Sequence, residues 1–234
     1  IAVSLKAMLP AAPQTRADLL AWISRDKSLS SILSEARKAE HGDAAHDLSH
    51  LLRVALFTMR FAPEADPREC VAAALLHDHV NLPKNHPERA RASELSAEAA
   101  YPILLAAEFS PSAISRIQAA IRDHSFSRGA RPSEMLGQAL QDADRLEALG
   151  AIGLMRVFST GARIGASYFH PEDPWAKDRP LNDTAFSLDH FFTKLLKLPA
   201  SFLTPGGKNE AARRARRLEI FLDDAADEIG ESRP

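Results

Sequence analysis

Apolar residues recur at three- and four-residue spacing along nearly the whole chain, and the strict alternation of a half-buried strand bounded by turn residues does not occur. The pattern predicts an all-α protein. Short helices are expected over 17–23 and 28–39, the second with Ser28 or Ser30 as the hydroxyl that accepts from the open N–H groups of its first turn. After the punctuation of His41-Gly42-Asp43, a helix over 47–62 puts Leu51, Val54, Ala55, Thr58 and Phe61 on one side, and Pro63 stops it. A second core helix over 67–76 runs into the pair His77-Asp78. Pro83 and Pro87 then make 79–87 a loop.

Further helices are expected over 89–105, 112–124, 133–142 and 144–158. The stretch 161–183 is rich in Gly, Pro and Asp, carries Trp175, and reads as a long surface excursion of the kind that serves either as a binding element or as a plain variable loop. Two last helices, over 188–198 and 208–228, are separated by Pro205-Gly206-Gly207. No internal repeat breaks this picture. One all-helical domain over 1–234 is expected, with a core of about 26–158 and a C-terminal helical extension of about 159–234.

Composition narrows the partners. With 45% hydrophobic and 26% charged residues in 234, the chain can bury a sizeable core. A net charge of −2 supplies no bulk field for nucleic acid or an anionic membrane. The run Arg213, Arg214, Arg216 and Arg217 is balanced by Asp223, Asp224, Asp227 and Glu228, so nucleic acid is not an expected partner. Trp175 and Tyr168 offer rings for a base to stack on, although packing against the body or a second subunit accounts for them equally, and a homo-oligomer is left open. Cys70, the single cysteine, sits in an apolar run and reads as a buried helix face. No stretch approaches the roughly 20 apolar residues that span a bilayer. The N-terminal segment lacks the order of a secretion signal, and the expected compartment is the cytoplasm.

The chemistry lies in a dispersed set, His50, His77, Asp78 and Asp144, each in an apolar, helix-compatible segment. Alone, any of these histidines reads as a hydrogen-bonded core residue. Together they make a metal site: imidazole and carboxylate without thiolate suit a divalent first-row ion used for chemistry, such as Mn, Mg, Ni, Fe or Zn. A carboxylate following Leu75-Leu76-His77 would be costly to bury without a cation. Arg53, three residues from His50, can share its face and offers a planar fork of donors for phosphate. Asp144 is assigned to the metal, with Asp142 left as a helix cap or as a partner orienting a ligand. Gly150 and Gly153 read as a close helix approach.

The order His50, His77-Asp78, Asp144, within the phrases Asp47-Leu48-Ser49-His50, Ala74-Leu75-Leu76-His77-Asp78, Asp123-His124-Ser125 and Asp142-Ala143-Asp144-Arg145-Leu146-Glu147, resembles the H…HD…D signature of the HD-domain metal-dependent phosphohydrolases, and looks like their bacterial YedJ-type branch. The resemblance implies an all-helical HD-domain bundle holding a divalent metal through His50, His77, Asp78 and Asp144, and a phosphorylated small molecule, a nucleotide first among them, as substrate. His86 and His124 could supply the extra histidines of the superfamily's binuclear members, but one tightly held metal is expected.

In the resulting mechanism a metal-activated water attacks a phosphomonoester or pyrophosphate bond. Asp78 orients the water or takes its proton, and Lys84, Arg53, Arg89 and His124 offset phosphoryl charge, with Arg145 and Lys194 as weaker contacts. Two alternatives belong to other classes: a regulatory HD protein that binds metal and nucleotide without turnover, and a di-iron oxygenase of the same fold.

Overall fold

The computed structural model describes residues 13–39, 47–82, 86–125 and 128–234. Nine α-helices are described: α1 (Arg16–Ser24), α2 (Lys27–Lys38), α3 (Leu48–Phe61), α4 (Pro67–Leu76), α5 (Ala92–Ala106), α6 (Pro111–Asp123), α7 (Met135–Leu146), α8 (Gly150–Ile164) and α9 (Pro205–Ile229). Among the described residues there is no strand, only an isolated parallel bridge between Ser167 and Phe186. The fold is all-α. No helix of the described residues is long and apolar enough to cross a membrane.

Local signals explain most helix starts. Thr15 and Asp18 form a reciprocal capping box on α1, and Asp26, rather than the expected Ser28 or Ser30, caps α2 by accepting from the Leu29 N–H. Asp47 does the same for α3, its Oδ1 2.8 Å from the His50 nitrogen, which fixes the turn that carries His50. In α4, every residue from Cys70 to Leu76 is buried. A helix apolar on all sides must be surrounded, and α4 packs against α2, α3, α5, α6 and α7, its three consecutive alanines, Ala72 to Ala74, permitting close approach. α3 and α6 also pack on α7, so α4 lies among the three.

Several expected boundaries are corrected. Asp144 does not open a helix. It lies in the last turns of α7, because Ala143 and Leu146 continue the buried stripe of Leu136, Ala139 and Leu140 and nothing between them breaks the helix. The chain turns only at Glu147–Leu149, before Gly150 at a φ of 69°.

The expected helix over 188–198 is instead a single π-type turn, Phe191–Leu195, followed by a 3₁₀ turn, Leu198–Ser201. Side-chain bonds from the preceding segment organise this region. Buried Asp189 takes Arg179 in a two-pronged pair at 2.6 and 2.8 Å, and Asp183 accepts from Thr193 and pairs with His190.

α9 starts at Pro205, so Pro-Gly-Gly belongs to the helix it was expected to precede. Proline is tolerated at N1, Thr204 caps the helix, and Gly207 is required by contact: a Cβ there would lie 2.3 Å from Asp142 Oδ2. Asp142, fully buried, accepts from the backbone nitrogens of Leu203 and Thr204 and from the Thr204 hydroxyl. It therefore pins α9 onto α7, and neither caps its own helix nor orients a ligand.

The 161–183 stretch splits. α8 runs to Ile164, and the remainder packs on the body, with Trp175 2% exposed, donating to the Glu231 carbonyl and meeting Phe192 edge-on. Tyr168 stays exposed at 68%.

Candidate metal centre

His50 from the first turn of α3, His77 and Asp78 from the end of α4, and Asp144 from α7 converge. The two Nε2 atoms lie 3.3 Å apart. Asp78 Oδ2 is 3.4 Å from His77 Nε2 and 4.0 Å from His50 Nε2, and Asp144 Oδ1 is 3.8 and 3.7 Å from the same atoms. His50, His77 and Asp78 form a group that could hold a divalent metal. Both imidazoles are buried, whereas the Asp78 and Asp144 side chains retain 26% and 28% exposure, which leaves the carboxylate side open to water and ligand.

Hydrogen bonding tests the fit. His77 Nδ1 lies 2.8 Å from the Ala74 carbonyl, which only accepts, so Nδ1 carries the proton. His50 Nδ1 faces Glu147 Oε2 at 3.4 Å and is fixed the same way. With both Nδ1 atoms protonated, each ring in its neutral form turns an Nε2 lone pair toward the other, with two carboxylates beside them. Such a set demands positive charge, which a proton on His77 supplies in the metal-free protein and a divalent cation can replace. Two nitrogens held about 2.1 Å from one metal at about 90–110° stand about 3.0–3.4 Å apart, which matches the spacing found.

The electrostatics of the metal-free protein show the same demand for positive charge. Burial opposes charge on His77, but Asp78 and Asp144 outweigh it and push its pKa up to about 9. Burial likewise opposes ionisation of Asp144, and His77 overrides it, holding the carboxyl well below its usual range. For His50, burial and then the neighbouring His77 keep the ring neutral despite Glu147.

His124 joins the group. It is 4% exposed, its Nδ1 donates to the Ile121 carbonyl at 2.6 Å, its Nε2 lies 3.8 Å from Asp78 Oδ1, and its ring stands edge-on to His77. Burial, then His77, depress its pKa.

The other expected contacts divide. Arg53 places Nε and Nη2 2.8 and 2.7 Å from Glu147 Oε2 while its side chain stays 30% exposed. Arg89 donates to Asn81 Oδ1 and to the Leu82 carbonyl, folding back on the loop after the His-Asp pair. Arg145 donates to the Ser201 carbonyl, and Lys194 is half-buried on the Phe191–Leu195 turn. Lys84 lies outside the described residues. His86 Nδ1 accepts from the Glu88 N–H.

Glu147 is the residue the sequence reading missed. It is 1% exposed, three positions beyond Asp144, and one oxygen receives both the His50 ring and the Arg53 guanidinium. Burial resists its ionisation, and His50 and Arg53 overcome it, so it stays a carboxylate. Its signal was the carboxylate one turn after Asp144 in an otherwise apolar stretch, paired with an arginine one turn after His50.

Residues 47–149 match the HD domain family. The uncharacterized protein YpgQ of Bacillus subtilis (strain 168) is 30% identical over 185 residues, covering 76% of this chain and 82% of that protein. The chain belongs to the HD-domain family. A solved HD-superfamily hydrolase from Bacillus thuringiensis is similar at TM-score 0.65 and 28% identity, covering 88% of this chain and all (100%) of that one. A predicted HD-superfamily hydrolase from an uncultured Thermotogales bacterium gives 0.62 and 28%, covering 90% and 98%. The crystal structure of Bacillus subtilis YpgQ in complex with ADP shares the fold at TM-score 0.67 and 24% identity, covering 86% and 95%. As a member of this family the protein is a metal-dependent hydrolase.

Proposed function

We propose that the protein hydrolyses a phosphate ester or phosphoanhydride of a small molecule, a nucleotide first among them, in the cytoplasm. The observation that carries this is the meeting of two buried imidazole Nε2 atoms and two carboxylates around one point, a donor set that a divalent cation suits. The ADP seen with Bacillus subtilis YpgQ supports a nucleotide.

His50, His77, Asp78 and Asp144 would hold the divalent ion. When bound, such an ion polarises a phosphoryl oxygen and brings the pKa of a water toward neutrality. Asp78 faces His77 with Oδ2 and His124 with Oδ1, so it can receive a proton at its open edge and relay it to His124 Nε2. His124 suits that role because burial keeps it neutral and its Nδ1–H is committed to Ile121. Glu147 and Arg53 hold His50 in the tautomer that presents Nε2. Lys84, on its place beside the His-Asp pair in sequence, remains the proposed cation for the phosphoryl group, together with Lys194.

The test is a metal-by-substrate screen, with Mn and Mg first, of the purified chain against nucleoside mono-, di- and triphosphates, reading phosphate and pyrophosphate separately. Asp78→Ala should lose all metal-dependent release while far-UV circular dichroism stays that of the wild type. Turnover retained by Asp78→Ala would overturn the assignment, and ligand-induced stabilisation of the wild type without product over hours would favour the regulatory alternative.

A further inference from the structure

A cavity of about 400 Å³ lies one face round α7 from the metal centre. Gln141 and Arg145, at i and i+4, form its floor, Arg131 belongs to one wall, and Ser201, Leu203 and Lys208 to the other. At 100° per residue, that stripe points about 80° away from Asp144, so the cavity and the cluster use different faces of the helix.

Both walls are built. Buried Gln141 donates through Nε2 to the carbonyls of Asp123 and Ala130, each at 3.0 Å, which holds the segment carrying Arg131. Arg145 donates to the Ser201 carbonyl, and Asp142 takes the Leu203 and Thr204 nitrogens, which hold the opposite wall. Three α7 residues within two turns thus clamp the two sides.

The lining among the described residues carries three cations, Arg131, Arg145 and Lys208, and no carboxylate. This in a chain of net charge −2 is an uneven placement of charge. Lys208 also lies in the first turn of a 25-residue helix, where the helix end favours anions. The fork of Arg131, the ammonium of Lys208 and the positive charge of Arg145, whose guanidinium also serves Ser201, match the several oxygens and roughly three negative charges of a diphosphate better than a single carboxylate. The volume lies within the usual range for small-molecule sites, about 300–1,000 Å³.

We propose that this cavity binds a small molecule bearing two adjacent phosphoryl groups, by contacts that do not require the metal. The free diphosphate and the diphosphate end of a nucleotide share that chemistry. The proposal goes beyond the hydrolase reading and stands without it, since it concerns binding in metal-free protein.

Isothermal titration of the full chain, stripped of metal and kept in EDTA at fixed ionic strength, would use pyrophosphate in one arm and ADP in the other. One saturable site is expected, weakened at least tenfold in Arg131→Glu/Lys208→Glu and retained in Asp78→Ala. Arg131→Gln/Lys208→Gln, with the same direction expected, covers the case in which the charge reversals do not fold. Binding of both ligands would identify the diphosphate itself as sufficient, and binding of ADP alone would identify the nucleotide form. No saturable binding to the wild type, equal binding by the double variants, or loss in Asp78→Ala would overturn the proposal, the last by placing the anion at the metal centre.

Discussion

Replacing Glu147 by Gln keeps the volume and removes the charge from the group that orients His50. In the native site one oxygen, Oε2, receives His50 Nδ1 at 3.4 Å, Arg53 Nε at 2.8 Å and Arg53 Nη2 at 2.7 Å. A neutral amide oxygen serves such donors less well, and the new NH₂ group would point toward Arg214 Nη1, which lies 4.0 Å from Oε1. Arg53 retains 30% side-chain exposure and can recover water, so the loss of stability should be modest, about 1–2 kcal/mol. His50, at 1%, has no such recourse. Its ring becomes free to carry the proton on Nε2, the atom that would bind the metal. Loss of a partner that orients a ligating histidine typically costs about 10–100-fold in metal affinity, or about 1.4–2.8 kcal/mol. Competition between the protein and a chromophoric chelator measures this, and ¹⁵N chemical shifts of His50 report the tautomer. Asp142→Asn is the control, since it loosens the α7–α9 joint and lowers stability without reaching the cluster. Unchanged metal affinity and an unchanged His50 tautomer in Glu147→Gln would show that Glu147 does not orient His50, as would an equal loss of affinity in Asp142→Asn.

Apparent metal affinity should rise with pH by about tenfold per unit up to about pH 9 and then level off, because His77 must give up a proton that Asp78 and Asp144 hold against the effect of burial; a flat profile between pH 7 and 9 would contradict this. By the same linkage, the His77 imidazolium stabilises the metal-free protein fully below about pH 6.5, and that contribution is lost as pH rises through about 9, which urea titrations with EDTA would follow. Gly207→Ala should destabilise the fold by about 1–3 kcal/mol, because its Cβ would sit 2.3 Å from Asp142 Oδ2 and 2.7 Å from Thr204 Oγ1; a denaturation midpoint equal to the wild type would show that the joint gives way freely.

Periodicity made the helices legible wherever an apolar stripe and a stop coincided, as in α3 between Asp47 and Pro63 and in the wholly buried α4. It misplaced Asp144 because two carboxylates in alternate positions imitate a helix start, while the buried stripe of α7 continues through them. Pro205-Gly206-Gly207 imitated a linker for a similar reason: its glycine is required by a contact with Asp142, 65 positions away, which no local pattern encodes.

The convergence of His50, His77, Asp78 and Asp144 could be anticipated from residue chemistry and the resemblance of their order. The fates of Arg53 and Arg89 could not, because whether a guanidinium meets a ligand or a protein acceptor depends on long-range placement. Glu147 answers Arg53 across 94 positions, and two acceptors on the adjoining loop answer Arg89.

Anomalous scattering from crystals of the Mn-loaded protein would locate a cation held by these four side chains. One strong peak is expected about 2.0–2.3 Å from Nε2 of both His50 and His77 and from one oxygen each of Asp78 and Asp144. A peak ligated by other residues, or none at this position with the metal in excess, would contradict that ligand set.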